Sequence, residues 1–117
     1  ISQVAAQAAL EGDQQCVKDM VKVFKQRHDY VVEALNEIDG IECLAGDGTF
    51  YVFPDFSGMQ AKLNCDTDTD LAEKLLEAGI ALVPGSAFGT PGHMRISFAT
   101  SDENLQKAIE RLKVAAA

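Results

Sequence analysis

The apolar pattern of this chain predicts an α/β fold, an α+β two-layer sandwich with a small, mostly antiparallel or mixed sheet of three to four strands covered by helices on one face. Three observations predict it. Between Asp13 and Gly40, Val17, Met20, Val21, Phe24, Val31, Leu35 and Ile38 recur at helical spacing. Thr49 to Phe53 is dense in β-branched and aromatic residues and is closed by Pro54, which cannot donate to a ladder. The remaining segments are short apolar runs and helical stretches, which gives the order αα-ββ-α-ββ-α.

Val4 to Leu10 has high helix propensity and stops at Gly12, a residue suited to the left-handed conformation after a helix end. Asp13 is placed as the N-cap of the second helix, whose apolar stripe reads as core and which Gly40 ends. Ile41 to Leu44 reads as a short strand, and Ala45 to Gly48 as a turn. Alternation along the next strand sends Phe50 and Val52 to one face and Tyr51 and Phe53 to the other, so one pair belongs to the core. Ser57 to Asp70 is polar and loop-like, with Ser57 to Asp66 the one linker-like stretch. Leu71 to Ala78 reads as a helix capped by Thr67 or Asp68 and ended by Gly79. Ile80 to Val83 is a strand, Pro84 to Gly92 a Gly- and Pro-punctuated loop, and Arg95 to Ala99 a further strand. The last helix starts near Thr100 or Ser101. Thr100 with Glu103 fits a capping box, and Leu105, Ala108, Ile109 and Leu112 form its buried stripe.

The 117 residues have a one-domain length, and 47% hydrophobic with 24% charged content is ordinary for a packed fold. A formal net charge of −8 argues against a nucleic-acid or anionic-membrane surface, because both need concentrated Lys and Arg. Lys18, Lys22, Lys25 and Arg27 read as a solvated helix face. Cys16, Cys43 and Cys65 are odd in number and far apart, so neither a disulfide framework nor a zinc site is indicated, and a reducing, cytoplasmic setting is the simpler inference. With only His28, placed along a helix, and His93, placed in a loop, no metal site is expected, and a catalytic Cys-His pair is disfavoured. Neither a signal peptide nor a membrane span is expected from these residues, since the Ala-rich start lacks a basic n-region and no apolar run approaches about 20 residues.

Arg95 sets a permanent cation at the head of the apolar run Ile96-Ser97-Phe98-Ala99. Its planar fork offers two parallel charge-assisted hydrogen bonds, the geometry that grips a carboxylate. Two readings follow from the arginine alone: a salt bridge to one of the chain's own 18 acidic residues, or a bound carboxylate ligand. The Pro84 to Gly92 loop is likewise either a crossover turn or a ligand-closing segment. It is neither a P-loop nor a dinucleotide fingerprint, since a strand follows it where those need a helix.

Three motifs, Gly48-Thr49-Phe50-Tyr51-Val52-Phe53-Pro54, Val83-Pro84-Gly85-Ser86-Ala87-Phe88-Gly89 and Met94-Arg95-Ile96-Ser97-Phe98-Ala99-Thr100-Ser101, favour the ligand. In their order and spacing the chain resembles the C-terminal small domain of class I/II pyridoxal-phosphate (PLP) aminotransferases of the aspartate aminotransferase group. The resemblance implies that residues 1–12 are a helix joining a large domain, that 13–117 form the small domain, and that the large PLP-binding domain lies outside this chain. It implies that PLP sits on a large-domain lysine in a Ser-x-Ser-Lys type segment, a sequence not found here. Within these residues it leaves no catalytic and no cofactor-binding side chain. It assigns substrate binding to Arg95, on the α-carboxylate, and to Phe50, near the substrate side chain.

For the intact enzyme, the resemblance implies a homodimer converting L-aspartate and 2-oxoglutarate to oxaloacetate and L-glutamate. Alanine, aromatic and broader acidic specificities remain open, and the isolated chain is expected to be inactive. The first helix, without its large domain, is expected to be mobile or to associate with another molecule. Two other readings stand beside this one: a freestanding interaction module that has kept the fold but not the chemistry, and the small domain of a PLP lyase or transcription regulator.

Overall fold

The computed structural model describes residues 1–117 as five α-helices and a three-stranded sheet. In chain order they are α1 (Ser2–Glu11), α2 (Gln15–Asn36), β1 (Tyr51–Val52), α3 (Ser57–Lys62), α4 (Asp68–Glu77), β2 (Val83–Pro84), β3 (Met94–Ser97) and α5 (Asp102–Ala116). A 3-10 turn, Gly85–Phe88, separates β2 from β3. The strand order is β1-β3-β2 and both pairings are antiparallel, with Tyr51 opposite Ser97 and Val83 opposite Arg95. The α/β sandwich expected from the apolar pattern is therefore the fold observed.

One core holds it together. Val31 and Leu35 of α2, Met59 of α3, Leu71 and Leu75 of α4, and Leu105, Ile109 and Leu112 of α5 close over Val52, Met94 and Ile96 of the sheet. Tyr51 and Ser97, of alternate orientation, are exposed, and Arg95 is half-buried, so the helices cover one sheet face. The α4 start is fixed by a complete capping box: Thr67 Oγ1 accepts from the Asp70 N–H, and Asp70 Oδ2 accepts from the Thr67 N–H at 2.9 Å. Gly79 closes α4 with φ +79°, as expected of a left-handed helix stop.

Several local expectations are corrected. Gly12 is extended, with φ −76°, and glycine is required there because a Cβ would approach the Ala8 carbonyl oxygen to 2.6 Å. Gln14, not Asp13, occupies the α2 N-cap, although Asp13 Oδ1 still accepts from the Gln15 N–H at 3.0 Å. The helix stops at Asn36, ahead of Gly40, which turns with φ +92° where a Cβ would collide with the Met59 nitrogen. The Asn36 side chain then takes both backbone partners of Cys43, at 2.9 Å each. That contact replaces sheet pairing, so Ile41 to Leu44 keeps only an isolated bridge from Glu42 to Asp55.

The stripe on α2 is only half core. Val17, Met20 and Val21 are exposed, Phe24 is half-buried, and α1 has no buried residue at all. This end of the molecule makes it elongated, 53 × 25 × 24 Å with a radius of gyration of 16.8 Å, against about 13 Å for a compact chain of this length. The polar Ser57 to Asp70 stretch contains α3, a helix started by Asp55 Oδ1 accepting from the Ser57 N–H at 2.7 Å and anchored by the fully buried Met59. Ser101 rather than Thr100 caps α5, accepting from the Asn104 N–H at 3.2 Å, while Thr100 Oγ1 accepts from the Asn104 side chain. Of the expected α5 stripe, Ala108 alone is not fully buried. Lys22 and Lys25 pair with Asp19 and Asp29 on the solvated face, but Arg27 leaves it to reach Asp102 of α5 at 2.7 Å.

This division of α2 has a measurable consequence. Leu35→Ala removes a fully buried side chain and is expected to lower the unfolding free energy by about 2–5 kcal/mol. Val21→Ala, on the exposed half, is expected to change it by about 0.5 kcal/mol or less. Urea denaturation of the two variants measures both values, and equal losses would contradict the division.

Candidate functional site

Burial along β3 alternates: Met94 and Ile96 enter the core, while Arg95 and Ser97 face the other way. The guanidinium thus stands on the uncovered face of the central strand and not inside the apolar run. Its surroundings are aromatic. Arg95 Cζ lies 5.1 Å from the Phe88 ring centroid and 5.8 Å from that of Tyr51, within the range of cation–π attraction. No carboxylate oxygen lies within 4.0 Å of it. The other two arginines are both engaged, Arg27 with Asp102 and Arg111 with the Gly79 carbonyl at 2.7 Å. An internal salt bridge to Arg95, one of the two readings open from the sequence, is not made.

Ring faces hold a guanidinium by its flat surface, whereas its N–H donors radiate in its plane. Arg95 is therefore positioned without being neutralised. Tyr51 comes from β1 by the register that pairs it with Ser97. Phe88 comes from the last position of the 3-10 turn, and Gly89 follows with φ +78°. That turn is tied at both ends: the Gly85 N–H donates to the His93 carbonyl at 2.7 Å, and the Thr90 N–H to the Gly85 carbonyl at 3.0 Å. A Cβ on Gly85 would collide with the Thr90 and His93 carbonyl oxygens, so the loop closes only with glycine there.

Phe53 completes the aromatic group, 5.9 Å from Phe88 edge-on and 5.2 Å from the His93 ring. His93 stands at the edge of β3, bridged to Asp55, and its Nδ1 is buried without a partner. Phe50 is exposed and does not touch Arg95 directly; its ring meets Tyr51 edge-on at 5.5 Å. Of the two residues singled out from the sequence, Arg95 is thus central and Phe50 is one ring removed. Tyr51 and Phe88 were missed as its neighbours. Both stand in the motif segments, but their convergence depends on strand register and on the turn.

Phe50 also borders a second feature, a groove of about 600 Å³ between the exposed half of α2 and the Gly46–Phe50 turn. Val17, Met20, Val21, Phe24 and Phe98 line its apolar wall. His28 is buried at its floor, where Nε2 accepts from the Gly46 N–H at 3.0 Å and Nδ1 meets Asp29 Oδ1 at 3.0 Å, a pattern that needs the proton on Nδ1. The free thiols are dispersed, Cys16 exposed and the other two buried, and burial raises the Cys43 thiol above its ordinary value. No group of three or more potential metal ligands occurs.

All seven lysines are exposed, and six of them hold a carboxylate or carbonyl partner. None stands in the Arg95 aromatic group. A lysine poised to hold a carbonyl cofactor needs a desolvated pocket that lowers its pKa, and these residues do not provide one. They do not by themselves fit PLP.

Comparison with known proteins bears on the same geometry. Residues 1–112 match the family described as aminotransferase class I and II. Over 119 aligned residues, 96% of this chain is 46% identical to the aspartate/prephenate aminotransferase of Nitrosomonas europaea. The crystal structure of the aspartate aminotransferase from Rhizobium meliloti superposes with a TM-score of 0.91 at 42% identity over 98% of the chain, covering 30% of that chain. An alanine aminotransferase structure from Pyrococcus furiosus superposes with a TM-score of 0.88 at 34% identity, over 96% of this chain and 28% of its own. The fold is therefore of the aminotransferase type. The chain belongs to the aminotransferase class I and II family, and it spans about 30% of the length of the curated relatives it matches.

The ties beneath the site predict a pH effect. The Ser57 N–H bonded to Asp55 holds that carboxyl below its ordinary value of 3.8. Its stabilising contribution is complete above that value and disappears as the pH falls through the lower, folded-state pKa. Asp55→Asn is accordingly expected to lose less stability than the parent between about pH 5 and about pH 2.5, read from urea midpoints. An unchanged difference between the two pH values would show that the carboxylate charge contributes nothing.

Proposed function

We propose that this chain is the C-terminal small domain of a PLP-dependent aminotransferase, with residues 1–12 joining the large domain and 13–117 forming the small domain. In this role it supplies the arginine that binds the α-carboxylate of amino-acid and 2-oxo-acid substrates. The observation that carries the reading is Arg95 itself. In a chain with 18 acidic residues, its guanidinium pairs with none and is held by aromatic faces, donors free.

A carboxylate bound by both arms of that fork is fixed in position and plane, which sets the direction of the Cα substituents beside it. Phe50, next to Tyr51, is assigned to the substrate side-chain end. PLP and its lysine belong to the large domain on this reading, and these residues alone form no complete active site. Aspartate and 2-oxoglutarate are the favoured pair, supported by the names of relatives at 42–46% identity. An alanine aminotransferase shares the unit with a TM-score of 0.88, so discrimination between these side chains is assigned to groups outside it. A homodimer in the cytoplasm completes the proposal; no helix here is long and apolar enough to cross a membrane.

The reading has two tests. The intact polypeptide is expected to be roughly three times longer than this chain, with this segment at its C-terminal end. Peptide mapping of the natural protein settles the order, and a segment found at the other end, or a protein no longer than 117 residues, would overturn the assignment. In the intact enzyme, Arg95→Lys is expected to lower kcat/KM by roughly 10- to 150-fold, about 1.5–3 kcal/mol, because a point charge replaces a bidentate fork. Parent-like kcat/KM with amino-acid substrates would exclude the carboxylate role.

A further inference from the structure

Asp68 is a buried carboxylate, 4% exposed, that forms no ion pair. A buried charge without a cation is costly, and it persists where backbone donors compensate. Its one side-chain partner is the Ser86 N–H, at 2.7 Å, across 18 positions of sequence. Asp68 is also the first residue of α4, where the helix N-terminus favours negative charge. Capping does not require it, since Thr67 and Asp70 already form the complete box. Its hydrogen bond runs out of the helix to the turn that carries Phe88.

We propose that Asp68 is a positioning residue for Arg95, acting through the Gly85–Phe88 turn and the Phe88 ring. The inference rests on the carboxylate-binding reading of Arg95. The linkage is short: Asp68 Oδ2 fixes the Ser86 backbone, Ser86 lies two residues before Phe88, and the Phe88 centroid lies 5.1 Å from Arg95 Cζ. Ser86, Ala87 and Phe88 are all exposed, and the ring packing that holds the turn is the edge-on contact of Phe88 with Phe53. Besides that contact and the glycine ties to His93 and Thr90, the Asp68 bond is the side-chain hydrogen bond that locates it. Tyr51 is held separately by β1. Releasing the turn withdraws one wall of the guanidinium while leaving the other, so the fork keeps its charge and loses its set plane.

The test uses the intact protein loaded with its cofactor and succinate, the non-reacting deaminated counterpart of aspartate, with binding measured by calorimetry. Arg95→Ala is expected to weaken succinate about 100-fold, corresponding to loss of a bidentate charged contact. Asp68→Ala and Phe88→Leu are each expected to weaken it about fivefold, the size of a cation–π wall. The double variant is expected to be no weaker than the weaker-binding single, because both act on one contact. Asp68→Asn keeps an acceptor oxygen and is expected to retain affinity close to the parent.

If Asp68→Ala lowers the folded fraction, Ser86→Pro deletes the donor from the exposed turn and is expected to give the same fivefold loss. Additive losses in the double variant, or an unchanged affinity in Asp68→Ala with Arg95→Ala strongly impaired, would overturn the Asp68 role and leave the carboxylate reading intact. Unchanged affinity in Arg95→Ala would overturn both.

Discussion

The central strand β3 has to satisfy two faces with opposite demands. It pairs on one edge with β1 and on the other with β2, so its pleat is fixed twice over. Met94 and Ile96 enter the core on one side, and Arg95 is thereby committed to the other. A slip of one residue in either pairing would bury the guanidinium and expose two core side chains. The apolar core and the placement of the cation are consequences of one register.

That coupling explains why so small a sheet can define a site. Its strands are only two to four residues long, and isolated ladders of that length are weak. What holds them is side-chain packing below, from α2, α4 and α5, and a set of specific ties at the edges. Asn36 grips Cys43, Asp55 starts α3, and Gly85 closes against His93 and Thr90. These ties use side chains and glycines where a longer sheet would use backbone pairing.

Most helices were legible in the sequence because periodicity reports burial directly, but the strand alternation was only half right. Val52 is core while Phe50, expected on the same face, lies exposed at the strand's entry, so neither expected pair is wholly buried. Thr67, Gly79 and the Leu105, Ile109, Leu112 stripe stand where their chemistry placed them. Periodicity failed on α2, where Val17, Met20 and Val21 keep the core spacing but meet no partner within this chain. An apolar stripe states that a face seeks burial and not what supplies it. The helix α3 was hidden by its polar composition, since a single buried Met59 and an Asp55 bond outweigh propensity over six residues. At the site, Arg95 was visible as a cation suited to a carboxylate. The rings of Tyr51 and Phe88 were not, because their approach depends on register and on a turn fixed from α4.

The site therefore depends on the state of a single guanidinium: charged, held by ring faces, and open at its in-plane donors. Nitrogen-resolved NMR of the Arg95 side chain in the intact protein, titrated with succinate, observes those donors directly. The Arg95 Nε and Nη resonances are expected to shift saturably with succinate while those of Arg27 and Arg111, already bonded, stay in place. Arg95 resonances that ignore succinate, or that report a hydrogen-bonded carboxylate before any is added, would contradict that reading of Arg95.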